Sequence, residues 1–344
     1  MHIPLRSSVA AAMGLALTLS PRMVAESPAF ADVYDLVRSN LTAVTDAELN
    51  DAAVRGLLQQ LPGRVLLVTN SVGTASGTNP PTALIARTDV FDQAQGYLRI
   101  GRVEPGLAAE LENSLRPMFG TNELEGLVID LRFAGGDDYS EAAQTADRFV
   151  DAAQPLMDWG AGQFTATAKT NAFPGPVVIL VNHQTTGAAE ALAAVLRQTQ
   201  VGLVIGAATA GEAAIFRDFP LGTQHRLRVA VAPVRVADHH PLNHDGVQPD
   251  IAVSVPTDDE RAYLVDPYRL TVRSRMGAGE VATRTPRLTE ADLVRMRRSG
   301  AGPDDASAPP PIRVPEQPLV TDPVLARALD LLKGLAVVQP TRQP

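Results

Sequence analysis

The side chains that catalysis draws on are thinly spread along this chain. Lysine occurs twice, at Lys169 and Lys333, and no serine lies between Ser140 and Ser254. Within that stretch Thr186 carries a hydroxyl, His183 an imidazole and Glu212 a carboxylate, while Asp238, His239, His240, His244 and Asp245 form a short group of their own. A hydroxyl attacks a carbonyl only with a proton acceptor within hydrogen-bond reach, and no lysine is near Thr186 in sequence to supply one. A carboxylate such as Glu212 serves as a general base for water when its surroundings raise its pKa, and is otherwise a solvated turn residue. His183 reads either as a base or as a hydrogen-bonded residue at a strand end. The His and Asp group has metal-ligating residue types, but its spacing matches no standard zinc pattern. It reads as an exposed loop between strands, and no metal or cofactor is expected.

The elements that must position these residues alternate between strand and helix. Gly126 to Gly136, GLVIDLRFAGG, is an apolar β-branched run ending in two glycines, hence a buried strand entering a tight turn. Pro176 to Val181 is a second buried strand, followed by an alanine-rich helix over Ala188 to Gln198. Further strands are expected at Tyr97–Val103, Leu203–Ile205, Leu227–Val236 and Ile251–Val253. Helices are expected from Pro105, with Leu107, Leu111, Leu115 and Met118 as its apolar stripe, and over Ser140–Val150. This alternation argues for an α/β layered core. Ahead of it lie helical patterns over Val33–Asn40 and Thr45–Leu61, the second opening with a Thr45-x-x-Glu48 capping box and carrying Leu49, Ala53, Leu57 and Leu61 on one face. Beyond Pro256 the organisation loosens. A final helix begins with Asp322 as N-cap and Pro323 at N1, and sets Val324, Leu325, Ala328, Leu329 and Leu332 on one face before Gly334.

Taken in order, these segments resemble the C-terminal processing, or tail-specific, family of Ser-Lys serine peptidases. VYDLVRSNL and AELNDAAVRGLLQQL look like its N-terminal helices, and GYLRIGRV like the strand that opens its core. GLVIDLRFAGGDDYSEAAQTADRFV is similar to its strand, Asp-Leu-Arg and Gly-Gly signature. GPVVILVNHQTTGAAEALAAVLR is similar to its nucleophile strand and helix, LVIGAATAGEA to its lysine turn, GVQPDIAV to a later strand and DPVLARALDLLKG to its terminal helix. The resemblance implies a crotonase-like or ClpP-like spiral of β-β-α units, and Val68 to Ala94 is too short for the PDZ domain the family commonly inserts there.

With Glu190 aligned on the family's helix glutamate, the nucleophile position falls on Gly187, the lysine on Glu212 and the orienting glutamine on Phe216. Gly135, Gly136 and the N–H of Ala188 occupy the oxyanion and peptide-binding positions, which need no side chain. The resemblance therefore implies a pseudo-peptidase that binds an extended peptide or protein ligand without cleaving it. The alternative is a peptidase that acts through Thr186 or a Glu212-activated water.

The remaining features set location and partners. Arg6, the apolar run Val9–Leu19 and Ala29-Phe30-Ala31 read as a leader over 1–31, cleaved after Ala31 or earlier after Ala25, which places the mature chain in the periplasm or outside the cell. The run is too short to span a bilayer, so no integral span is expected once it is removed. There is no cysteine to build a disulfide framework. A formal charge of -8 offers no basic stripe, which argues against nucleic acid as a partner. The expected organisation is a leader (1–31), a helical unit (32–68), the peptidase-like core (95–256), a proline-rich linker (299–318) and a docking helix (322–335).

Overall fold

The structure, a computed structural model, describes residues 28–69, 83–121, 124–237, 239–269 and 319–338. The expected leader (1–31) up to residue 27, the expected proline-rich segment 299–318 and Asp238 lie outside the described residues. Two compact units are distinguished, with the division after Gln60.

The first unit contains α1 (Phe30–Asn40) and α2 (Asp46–Gln60). The capping box at the start of α2 forms: the Thr45 N–H donates to Glu48 Oε2 (2.9 Å) and the Glu48 N–H to Thr45 Oγ1 (3.3 Å). Arg38 of α1 pairs with Asp46 of α2 at 3.0 Å, and Tyr34 with Asn50. The expected apolar face of α2 is not a buried one. No residue of either helix is buried, and Leu57 is exposed. The expected unit ran to residue 68, whereas 65–69 form a strand of the second unit.

That second unit holds β1 (Val65–Thr69), β2 (Ile85–Phe91), β3 (Gln95–Ile100), α3 (Leu107–Thr121), β4 (Gly126–Asp130), α4 (Tyr139–Asp147), β5 (Pro155–Asp158) and β6 (Gln163–Thr165). It continues through β7 (Val177–Val181), α5 (Ala188–Gln198), β8 (Gly202–Gly206), β9 (Ala214–Leu221), β10 (His225–Pro233), β11 (Arg235–Val236), β12 (His240–Pro241) and β13 (Ile251–Ala252). It closes with α6 (Thr257–Val265) and a last helix, α7 (Pro323–Val338).

The central sheet has the order β13-β8-β7-β4-β3-β2, parallel except for the antiparallel edge pair β2 and β3. Its inner strands are buried on both faces because successive side chains point to opposite sides. Leu127, Ile129, Val177 and Ile179 enter the larger core with Leu107, Leu111 and the apolar side of α5. Val128, Val178 and Leu180 enter the smaller core with Val324, Leu325, Ala328, Leu329 and Leu332 of α7. The mixed α/β architecture agrees with the expected fold class.

The docking helix differs from expectation at its end. It runs through Gly334 to Val338, because a glycine inside a helix costs only about 1 kcal/mol relative to alanine. The stretch after Pro256 is also better organised than expected: α6 buries Glu260, Tyr263 and Leu264, and the Thr321 N–H donates to the Pro267 carbonyl. No helix among the described residues is long and apolar enough to cross a membrane.

Candidate functional site

Strands β4 and β7 are parallel neighbours with Asp130 opposite Leu180, so the turns leaving their carboxyl ends meet. Crevices at the carboxyl ends of parallel strands are where open α/β sheets bind ligands. The two turns are sewn together. Thr185 Oγ1 donates to the Leu131 carbonyl (2.9 Å) and the Phe133 N–H to Asn182 Oδ1 (3.1 Å). The Thr186 N–H donates to the Ala134 carbonyl (2.9 Å). Asn182 Nδ2 in turn donates to Glu260 of α6 (2.9 Å), whose carboxyl is pushed up by burial. Behind the turns, Arg132 is buried between Asp130 (2.7 Å) and Asp322 (2.8 Å), and the same Asp322 caps α7 by accepting from the Val324 N–H.

This framework brings Gly135, Gly136, Thr186, Gly187 and Ala188 together. Gly187 is the N-cap of α5 with φ 57° and ψ −123°, a conformation that favours glycine. A Cβ added there would stand 2.4 Å from the Gly136 carbonyl oxygen. Gly136 has φ +143°, and its own Cβ would meet the Val103 carbonyl at 2.2 Å. Thr186 is half-buried with Oγ1 over the two-glycine turn, 2.8 Å from where a Gly135 Cβ would sit. Ala188 carries the N–H expected at the oxyanion position. Its N–H already donates to the Gly136 carbonyl at 2.8 Å, because the two-glycine turn folds back over the helix start.

The expected base position is held differently. Glu212 lies in the turn after β8, half-buried, with its side chain packed against Gly63 rather than free in solvent. Its backbone N–H, with that of Gly211, donates to the carboxylate of Glu190, each at 3.1 Å. Glu190 is the residue that the sequence offered only as a landmark. It is 1% exposed on α5, and burial pushes its carboxyl up to about 7, with the Glu212 charge adding to the rise and the backbone N–H donors of Glu212, Ala213 and Gly211 opposing it. The signal that could have found it is a lone carboxylate on an otherwise alanine and leucine helix. Tyr139 braces the same turn from α4: its hydroxyl donates to the Ala214 carbonyl and accepts from the Ala214 N–H, both 3.1 Å. Burial takes that phenol up to about 12.

Other candidates lie elsewhere. Phe216, at the orienting position, is in β9 with its ring beneath the Arg228 guanidinium, 5.0 Å from centroid, and an aromatic ring offers no hydrogen bond with which to orient a base. His183 is exposed. Lys169 pairs with Asp147 and Lys333 with Asp92, so neither lysine reaches the two-glycine turn. His239 and His240 are exposed around β12, and among the described residues no three His, Cys, Asp or Glu side chains gather as a metal group.

Residues 94–253 match the family profile of peptidase family S41. Over that segment the chain is similar to the S41 family. It is similar to the carboxy-terminal-processing protease of Bartonella bacilliformis, 25% identical over 169 residues, covering 47% of this chain and 39% of the relative. It is also similar to the chloroplastic C-terminal processing peptidase of Tetradesmus obliquus, 25% identical over 243 residues, 67% of this chain and 51% of the relative. The chain thus spans about two fifths to one half of the length of these curated relatives. Among solved structures, a candidate peptidase from Parabacteroides merdae shares the fold at a TM-score of 0.51 and 20% identity, covering 70% of this chain and 87% of that one.

Proposed function

We propose that this S41-family chain is an exported pseudo-peptidase that binds an extended peptide or protein ligand and does not cleave it. One observation carries the reading: the residue facing the two-glycine turn at the start of α5 is Gly187, with no side chain. Hydrolysis by this scaffold requires an oxygen attacker with a proton acceptor beside it. The turn that would bring a lysine brings Glu212 backed by the buried Glu190, so two carboxyl groups stand where an amine would, with no hydroxyl at Gly187 for either to act on. The exposed edge strand β9, which follows this turn, offers a place for a peptide to add by backbone hydrogen bonds. The leader pattern at residues 1–31 supports the export part of this reading.

Incubation with a fluorophosphonate probe and with a panel of unfolded protein substrates is expected to give neither labelling nor cleavage. Labelling that maps to a single residue sinks the proposal. A second reading has one observation in its favour, the Thr186 hydroxyl lying over the two-glycine turn. If cleavage is observed, Thr186→Ala abolishes it under that reading, whereas Glu212→Gln abolishes it if a water activated by Glu212 is the attacker.

A further inference from the structure

We infer that the two-glycine turn is a self-closing latch, in which the Gly136 carbonyl occupies the Ala188 N–H until a ligand carbonyl displaces it, and that Gly187 is the residue that lets the latch close. The first N–H groups of a helix have no acceptor within the helix. Ala188 is the first residue of α5, so its N–H would be an orphan at the helix start, yet it donates to Gly136 at 2.8 Å. A Cβ at position 187 would lie 2.4 Å from that same carbonyl oxygen, which no real contact tolerates. Any side chain at 187 therefore pushes the Gly136 carbonyl off the Ala188 N–H. The glycine does more than remove a nucleophile: it creates a closed state that a side chain would forbid.

The hinge is confined to the two residues between two fixed points. On its upstream side Gly135 is fixed, its carbonyl accepting from the Val103 N–H at 2.8 Å and Arg102 bridging to it. Downstream, Asp138 is fixed as the N-cap of α4, accepting from the Glu141 N–H at 2.9 Å. Between them stand the Asp137–Asp138 peptide and the Gly136–Asp137 peptide, the plane that carries the latch carbonyl. Gly136 sits at a φ of +143°, where glycine alone moves freely, and Asp137 is exposed with a loose 3.6 Å pairing to Arg228. Rotating this plane withdraws the Gly136 carbonyl and frees the Ala188 N–H for the backbone carbonyl of an extended peptide. The latch itself stands on the geometry, and only the ligand step rests on the peptide-binding reading above.

The test is made on isotopically labelled full chain by NMR. A through-hydrogen-bond 15N–13C′ coupling between Ala188 and Gly136 is expected in the unliganded protein, with the Ala188 amide exchanging at least about tenfold slower than an unprotected amide. Absence of the coupling together with fast exchange overturns the latch, and this measurement needs no variant. Gly187→Ser is expected to abolish the coupling while amides of β4 and β7 stay protected; a folded variant that keeps the coupling also overturns it. Reduced, alkylated casein peptides added to both forms are expected to bind the variant at least about tenfold more tightly. If the coupling behaves as expected and neither form binds, the latch stands and the peptide-binding reading fails. If a peptide binds the wild type and the Ala188–Gly136 coupling persists, the latch fails and the binding reading stands.

Discussion

Arg132 and Glu190 are both ionisable and both 1% exposed, yet they are stabilised in opposite ways. Arg132 is enclosed by two carboxylates, with Nε and Nη2 donating to Asp130 and Nη1 and Nη2 to Asp322. Burial works against its charge, but Asp130 and then Asp322 outweigh it and hold its pKa well above the ordinary arginine value. Glu190 has only backbone N–H groups, and a second carboxylate, Glu212, nearby. Dipoles compensate its charge incompletely, so its pKa climbs to about 7. Full ion pairing makes a fixed structural post. Compensation by dipoles alone makes a group whose charge changes near neutral pH.

Breaking the paired side of this contrast has the largest expected effect. Arg132→Met leaves Asp130 and Asp322 buried without their cation, and is expected to cost about 3–5 kcal/mol in denaturant unfolding. A loss below about 1 kcal/mol would show that the triad is not the post described. The dipole-held side is read by pH. Since the folded pKa of Glu190 is raised from 4.5 to about 7, its stabilising contribution is complete below the unfolded value near 4.5. It is lost as pH rises through about 7. Stability should therefore fall across pH 4.5–7 by on the order of 3 kcal/mol and then level off. Glu190→Gln should flatten most of that slope, leaving the part due to Glu260, which is raised in the same direction.

Smaller effects sharpen the comparison. Tyr97 donates to Asp130 at 2.8 Å inside the paired cluster, so Tyr97→Phe removes one hydrogen bond to a buried charge and is expected to cost about 1.5–3 kcal/mol in the same unfolding measurement. The Arg197–Asp250 pair has a similar 2.7 Å contact but a partly exposed setting. Arg197→Met should cost under about 1 kcal/mol, and the difference from wild type should shrink in high salt. A salt-insensitive loss as large as that of Arg132→Met would mean that burial is not what separates the two clusters.

Much of this architecture was legible along the chain. The runs at 126–130 and 177–181 alternate between two cores as buried strands do, and α3, α5 and α7 carry their apolar residues at helical spacing. Asp322-Pro323 announced the start of α7, but its side chain also completes the Arg132 pair from 190 residues away in sequence, which no local pattern reveals. Strands β2, β5, β6 and β9 escaped notice because short, half-exposed strands lack a sustained period, and their identity comes from partners distant in sequence. Helix α6 has only a weak apolar face along the chain; it is held by burial of Tyr263 and Leu264 and by Glu260 accepting from Asn182, none of which a local pattern reveals.

The residue types at 187, 212 and 216 were fixed by the sequence alone, and with them the absence of a serine or lysine from the corresponding segments. What those positions do was decided in three dimensions. That the Gly136 carbonyl closes on the Ala188 N–H, and that Glu190 rather than Glu212 is the carboxylate inside, depend on which turns the parallel pairing of β4, β7 and β8 brings side by side. Periodicity is a property of neighbours along the chain, whereas burial of a charge and occupancy of a hydrogen bond belong to groups that meet only after the sheet has formed.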